Sequence, residues 1–242
     1  MNSKKIIARK PEWRVGDRWT YKTFRFGLSK IPLYGINTAQ VIDRGELLVK
    51  NNKFDSYKCS INSKLGGKIK QKNLAEICTT TQTSYVNYAN LSMIMNIAYE
   101  DTTINIGGKK RFITTLKTII HVPPVAVFDF PLEVGKTWIR SFTAIGIVGS
   151  ANWLEELKTT NFGKTTLEFE CVRAENIRVP AGKYPAIVIE VKAKHPKIGK
   201  FLAGDKYCDY YSPKIGHLAR SEEIMGGKVT SRHELISFTR GK

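Results

Sequence analysis

Hydrophobic and polar residues alternate along most of this chain with a period of two. Ile187, Ile189 and Val191 fall on one face of a strand, and Glu190 and Lys192 fall on the other. This period is typical of half-buried antiparallel strands, because successive side chains in a strand point to opposite faces. Similar patterns predict further strands at residues 19–26, 38–49, 56–62, 69–81, 111–121, 138–148, 165–179, 206–211 and 230–238.

Helical patterns are sparse, and residues 89–98 and 152–157 are the two candidates for short helices. The pattern therefore predicts an all-β, mostly antiparallel protein, built as a curved sheet, half-barrel or barrel-like structure. Three Gly-Gly pairs lie between predicted strands: Gly66-Gly67, Gly107-Gly108 and Gly226-Gly227. Two-residue hairpin turns need positive φ values, which glycine adopts readily, so each pair is predicted to form a hairpin tip.

Three segments of the first half recur in the same order in the second half. The segment 15–21, with Gly16 and Trp19, matches 134–140, with Gly135 and Trp138; 52–57 matches 182–187, and 85–88 matches 207–210. Ordered matches predict an internal duplication. We expect a first β repeat at 1–125 and a second at 126–242, packed as one unit. Trp19 and Trp138 are expected to be buried at equivalent positions.

The second half also carries motifs that resemble a known group of proteins. The segment 130–138 contains Gly135 and Trp138, and 179–184 contains Gly182 and Tyr184. A third segment, 210–218, contains four further motif residues: Tyr210, Tyr211, Pro213 and Gly216. Together they resemble domain-of-unknown-function families of bacterial and archaeal envelope proteins. The resemblance implies a curved antiparallel half-barrel, loosely like the lipoprotein-carrier fold, and an extracytoplasmic setting; it supplies no catalytic residues.

Charge adds a possible binding surface to this picture. The 242 residues carry a net charge of +18, and residues 1–75 hold 17 basic and 5 acidic side chains. Such a field attracts polyanions without selecting among them, although lysine-rich surfaces also keep β proteins soluble. The candidate polyanion surface consists of Lys64, Lys68, Lys70 and Lys72, the last three predicted to share one face of a strand.

Reactive side chains do not form a recognisable catalytic or metal-binding motif. Cys59, Cys78, Cys171 and Cys208 lack C-x-x-C spacing, so they are predicted to be buried thiols, or two disulfides in an oxidising compartment. The four histidines are scattered, and none pairs with a nucleophile or carboxylate in sequence. We therefore expect no catalytic residues, no metal and no cofactor, and a protein that is not an enzyme.

Two function classes remain compatible with the sequence. The favoured hypothesis is a noncatalytic protein that binds a hydrophobic molecule or an anionic amphiphile in an apolar groove of the sheet. The alternative is binding of single-stranded nucleic acid or another polyanion through the basic surface. No apolar run reaches the roughly 20 residues of a membrane-spanning helix. The basic start lacks an apolar signal segment, so the chain is expected to be cytoplasmic, or extracytoplasmic if a signal segment was removed.

Overall fold

A computed structural model describes residues 6–27, 29–49, 51–150, 158–194 and 206–242. It contains twelve antiparallel strands that form one closed barrel. The strands are β1 (Arg18–Phe26), β2 (Pro32–Val49), β3 (Asn52–Ile69), β4 (Leu74–Asn87), β5 (Met93–Ile106), β6 (Lys109–Val125), β7 (Thr137–Ser150), β8 (Lys158–Val179), β9 (Gly182–Lys194), β10 (Lys206–Ser212), β11 (His217–Met225) and β12 (Lys228–Thr239). The predicted all-β, antiparallel fold is confirmed.

The strands follow one another around the barrel in chain order. Each pairs with its neighbours in sequence, and β1 closes the barrel by pairing with β12, from Arg18 opposite Thr239 to Arg25 opposite Ser231. Turns between antiparallel strands alternate between the two ends of a barrel. The β1–β2, β3–β4, β5–β6 and β11–β12 turns therefore lie at one end, and the β2–β3, β4–β5, β6–β7, β8–β9 and β10–β11 turns lie at the other.

Aromatic side chains fill the second of these ends, which we call the closed end. Trp19, Tyr57 and Tyr211 are almost fully buried there. Residues before β1 also contribute: the Trp13 ring lies 5.5 Å from that of Trp19, and Ala8 pairs with Leu132 in an isolated β-bridge. Large aromatic rings thus pack inside this end and close it, and we call this cluster around Trp13, Trp19, Tyr57 and Tyr211 the aromatic plug.

Helix is nearly absent from the part of the chain that the structure describes, where a single 3₁₀ turn spans Lys70–Lys72. The helix predicted at 89–98 is wrong. Residues 89–92 form a turn in which Leu91 has φ of +56°, and β5 begins at Met93. A bulge at Ile94, which opposes the Tyr85–Val86 step of β4, interrupts the period of two and hides the strand. The candidate helix at 152–157 lies outside the described residues.

Two of the three predicted Gly-Gly hairpin tips are confirmed, and one is wrong. Gly107-Gly108 and Gly226-Gly227 have positive φ values and connect paired strands. Gly66-Gly67 instead lies within β3, and its backbone does not enter the left-handed region. The glycine serves a different need there, because a Cβ on Gly67 would lie 2.2 Å from the carbonyl oxygen of Pro32.

This close approach yields a stability prediction. We expect Gly67→Ala to lower the free energy of unfolding by about 1–3 kcal/mol, because β2 and β3 must separate locally to admit the methyl group. Gly66→Ala is the matched control, since its Cβ would meet no atom nearer than 3.8 Å. Urea unfolding of both variants checks the difference; equal stabilities would show that the two strands move apart at little cost.

The two predicted repeats each contribute six strands, β1–β6 and β7–β12. The matched turns at Gly16 and Gly135 make the same hydrogen bonds: the Gly16 amide donates to the carbonyl of Val41 and the Gly135 amide to that of Cys171, each at 2.8 Å. Register also shifts directly after Val41 and Cys171. These features correspond between the halves, and duplication of one unit stays a prediction.

Candidate ligand cavity

A cavity of about 680 Å³ occupies the barrel interior between its middle and the end opposite the aromatic plug. Eight strands line it, β1–β6 together with β11 and β12. The strand alternation creates this wall, because every second residue of each strand points inward. The lining side chains are mixed: aliphatic Ile61, Leu65 and Ile119 stand beside Gln82 and Asn96.

One charged cluster forms part of this wall. The Arg25 guanidinium donates to the Glu100 carboxylate at 3.1 Å and to the Cys78 sulfur at 2.8 Å, and the Thr80 hydroxyl donates to Glu100 at 3.2 Å. Burial alone raises the pKa of Glu100, but the Arg25 charge and these hydrogen bonds outweigh it, so the net pKa is lowered. Burial raises the pKa of the Cys78 thiol. The cluster thus holds an ion pair and a protonated thiol.

Lys117 is a second cation in the cavity wall, and it differs from Arg25 in having no ion-pair partner among the described residues. It lies in β6 opposite Ala98 of β5, lines the cavity and is exposed. Among the residues that the structure describes, its ammonium group forms neither an ion pair nor a hydrogen bond. Ile119 and Ala98 adjoin it on the same wall. A free cation beside aliphatic groups suits a ligand with an anionic group attached to an apolar body.

Toward the closed end, polar side chains continue inside the barrel on adjacent strands. The Ser221 hydroxyl lies 2.6 Å from the Asp209 carboxylate, and the Thr23 hydroxyl lies 2.9 Å from His233 Nδ1. Burial raises the pKa of Asp209 to about 6, and the hydrogen bond from Ser221 offsets this only in part. Burial and the Arg25 charge lower the pKa of His233, which favours a neutral ring.

His217 belongs to the aromatic plug and not to the cavity. Its Nδ1 lies 2.7 Å from the Tyr21 hydroxyl, and its ring stacks on Trp19 with centroids 4.6 Å apart. Burial lowers the pKa of His217 to about 4, although a backbone hydrogen bond acts in the opposite direction. His217 is therefore a neutral packing residue at physiological pH. His121 lies in β6, where burial lowers its pKa, and His195 lies outside the described residues.

The motif residues predicted from sequence lie around the closed end and do not line the cavity. Gly16 and Gly135 form its turns with φ of +96° and +90°, and Trp19 and Trp138 are 1% and 7% exposed. The remaining motif residues are found at strand ends and turns of β9–β11: Gly182, Tyr184, Tyr210, Tyr211, Pro213 and Gly216. Their arrangement supports packing of the plug.

The candidate polyanion residues do not share one strand face as predicted. Lys64 and Lys68 alternate on the outer face of β3, but the strand ends at Ile69. Lys70 and Lys72 lie in the following 3₁₀ turn, which rotates them away from that face. The prediction failed because the period of two at Lys68, Lys70 and Lys72 continues in sequence through a point where the chain turns.

All four cysteines are buried and free, so the alternative of two disulfides is wrong for this structure. Among the described residues, no group of three or more His, Cys, Asp or Glu side chains could hold a metal ion.

The sequence reasoning missed Arg25, Glu100 and Lys117 as cavity residues. Each of these residues occupies an inward position of an alternating strand, which the sequence pattern could have shown. Their strands are distant in sequence, so the pattern could not show that the three side chains line one cavity.

The likeness of this chain to known proteins is a likeness of fold alone. No family model and no curated protein matches this chain. A solved structure of a β-barrel-like protein of the domain of unknown function DUF1849, from Brucella abortus, is similar with a TM-score of 0.52 and 8% identity, over 95% of this chain and 99% of that chain. This likeness confirms the fold implied by the sequence resemblance.

A second solved structure, of a putative lipoprotein from Parabacteroides distasonis, aligns with a TM-score of 0.38 and 12% identity, over 97% of this chain and 100% of the other. Within the described residues, no helix is long and apolar enough to cross a membrane.

Proposed function

We propose that this chain is a noncatalytic binding protein whose barrel cavity holds a small amphiphilic molecule with an anionic head. One observation carries the proposal: an open cavity of about 680 Å³ combines aliphatic wall residues with a cation that has no ion-pair partner among the described residues. Cavities that bind small molecules typically measure about 300–1,000 Å³ and combine apolar walls with few polar anchors.

The two parts of such a ligand have distinct places in the wall. Lys117 receives the anionic head, because Arg25 is already engaged by Glu100 and Cys78. Ile61, Leu65 and Ile119 contact the apolar body. The cavity is less apolar than the groove expected from sequence, which favours an amphiphile over a plain hydrocarbon, since bare hydrocarbon would leave wall hydroxyls and amides without hydrogen bonds.

A noncatalytic role is supported by how the reactive groups of the wall are engaged. His233 meets the Thr23 hydroxyl, the Tyr207 hydroxyl donates to Glu223 at 3.2 Å, and Glu100 is neutralised by Arg25. The raised pKa of Cys78 disfavours the thiolate that nucleophilic attack requires. These groups therefore stabilise the wall and give a ligand polar contacts.

The proposal is tested by filling the cavity. We expect Ala98→Trp to weaken binding of anilinonaphthalene sulfonate, a fluorescent anionic amphiphile, by at least tenfold, because the indole occupies the ligand's space next to Lys117. Ile97→Trp is the matched control, since the adjacent residue points out of the barrel and is 36% exposed. Fluorescence titration measures both affinities; equal weakening, or no saturable binding to the parent protein, contradicts cavity binding.

Removing the proposed anchor gives a second readout of the same site. Lys117→Gln is expected to weaken the sulfonate probe by roughly tenfold, the effect of losing one charge-assisted hydrogen bond. Binding by the parent protein should depend only modestly on salt, because burial of the apolar body is little screened. A drop of about a thousandfold between 50 and 200 mM salt would favour polyanion-type surface binding instead.

A further inference from the structure

At the end of the barrel toward which the cavity extends, the four turns that the structure describes carry charge of one sign. We call it the open rim, formed by residues 29–31, 70–73, 106–111 and 225–228. These segments contain no Asp or Glu, and their exposed cations include Lys30, Lys70, Lys72, Lys109, Lys110 and Lys228. Within the described chain, none of these six forms an ion pair. The rim therefore presents unneutralised positive charge.

The closed end differs in its charge arrangement. There Arg240 pairs with Asp17 at 3.1 Å, Lys136 pairs with Asp129 at 2.9 Å and Arg44 pairs with Asp55 at 2.8 Å. Acidic partners thus neutralise part of the basic charge at that end. At the open rim, the carboxylate of Glu76 does meet Ser29, but Glu76 is only 1% exposed. The uneven distribution gives the barrel one face that attracts an extended anionic surface.

Apolar side chains are exposed on the same rim and directly beside it. Phe26, at the end of β1, is 48% exposed, Ile106 is 51% exposed and Met225 is 37% exposed. Phe26 and Met225 also line the cavity, so they connect its wall to the rim. Exposed apolar groups surrounded by lysines are the combination that binds the interface of a bilayer, where the apolar groups enter the headgroup region and the cations meet lipid phosphates.

We infer that the open rim docks on the surface of an anionic lipid bilayer, with the cavity mouth facing the lipid. Charge complementarity selects this occupant, and the exposed Phe26, Ile106 and Met225 distinguish it from a purely electrostatic polyanion site. Docking in this orientation would let an amphiphile pass between bilayer and cavity without crossing water. The docking itself does not depend on cavity binding, so the two proposals fail separately.

The test is flotation of the protein with vesicles of phosphatidylcholine alone and of phosphatidylcholine mixed with phosphatidylglycerol. Binding is expected only to the mixed vesicles and is expected to fall between about 0.1 and 1 M salt, as the Debye length shortens from about 10 to 3 Å. The triple variant Lys70→Gln, Lys110→Gln, Lys228→Gln should bind on the order of 100-fold more weakly, since each lysine contributes roughly fivefold near an anionic surface.

A matched triple variant removes the same charge from exposed positions elsewhere: Arg9→Gln, Lys183→Gln and Lys242→Gln. It should keep vesicle binding within about twofold, because those residues lie beyond a Debye length from the docked rim. Ile106→Ser should also weaken binding, whereas Val134→Ser, at the closed end, should not.

Equal losses in the two triple variants would overturn the rim as the docking surface. Preference for single-stranded oligothymidine over mixed vesicles at about 0.2 M salt would overturn the bilayer as its partner. Titration of the Lys70→Gln, Lys110→Gln, Lys228→Gln variant with the sulfonate probe, without vesicles, separates this inference from the proposed cavity function. We expect this variant to keep its affinity for the probe and to lose flotation with mixed vesicles. Retained flotation would contradict docking through the rim.

Discussion

Trp19→Ala is expected to lower the free energy of unfolding by about 3–5 kcal/mol, the range for removing a large aromatic side chain from a packed core. The side chain is 1% exposed, and its ring stacks on His217 and, at 5.7 Å, on Phe238. Its Nε1 donates to the carbonyl of Ile215 at 3.2 Å, so truncation also leaves a buried acceptor without this donor. Urea unfolding followed by circular dichroism measures the loss.

Trp138→Ala provides the comparison within the same barrel, and we expect a loss in the same range. Trp138 is 7% exposed and stacks on Phe169 with centroids 5.0 Å apart, while its Nε1 has no hydrogen-bond partner in the described chain. Trp19→Phe should recover most of the packing but not the hydrogen bond. A loss below about 1 kcal/mol for Trp19→Ala would mean that the plug is not part of the cooperative core.

Asp209→Asn is expected to stabilise the protein above pH 6 by roughly 1–3 kcal/mol. Burial raises the pKa of this carboxyl to about 6, against about 3.9 for an unfolded chain. The folded state therefore holds the proton more tightly, so the parent protein loses stability as the pH rises from about 4 to 6. Asparagine keeps an acceptor for the Ser221 hydroxyl, 2.6 Å away, without the buried charge.

Stability measured against pH distinguishes this cause from a general packing effect. The difference between Asp209→Asn and the parent protein should shrink as the pH falls from about 6 and vanish below about pH 3, where the carboxyl is protonated in both states. Asp101→Asn, at an exposed carboxylate in β5, should change stability little at any pH. A stabilisation by Asp209→Asn that is independent of pH would exclude the buried charge as its origin.

Sequence pattern predicted the fold wherever the period of two is unbroken. β9 forms as the alternation predicts, with Ile187 and Ile189 buried. Ala186 and Val188 on the opposite face are also 0% exposed, so this part of the strand is buried on both faces and is not half-buried as predicted. A bulge breaks the period of two: the bulge at Ile94 hides the start of β5, and the sequence pattern there predicts a helix instead. A Gly-Gly pair is equally ambiguous, because glycine satisfies both a positive φ, as at Gly107, and a close strand approach, as at Gly67.

The internal matches show a related limit. Sequence similarity aligned Tyr85 with Tyr207, but the structure gives the same bulge after Tyr85 as after Tyr210. The following turns agree with this shift, since Leu91 donates to Asn87 at 2.9 Å and Gly216 donates to Ser212 at 3.0 Å, both with positive φ. Leucine and glycine share no side-chain chemistry, so an identity-based alignment could not match them.

The candidate site was less predictable than the fold, because its residues meet only when the sheet closes. Arg25 and Glu100 are on β1 and β5, and neither segment carries a local motif that announces an ion pair. The polar character of the cavity could be inferred only from polar residues at inward positions, such as Gln82 and Asn96. Alternation alone does not tell which face of each strand points inward, because that depends on how the sheet closes into a barrel.

Eleven of the twelve strand pairings join consecutive strands, and the seam between β1 and β12 is the exception. Local hairpins form quickly, whereas bringing distant strands together carries the entropy of closing a long loop. We therefore expect the seam to be the slow, late contact of the folding reaction. Thr23, Arg25, Ser231 and His233 of the cavity wall lie along it. A ligand held against that wall binds only the closed chain, so its binding energy adds directly to the resistance of the seam to opening.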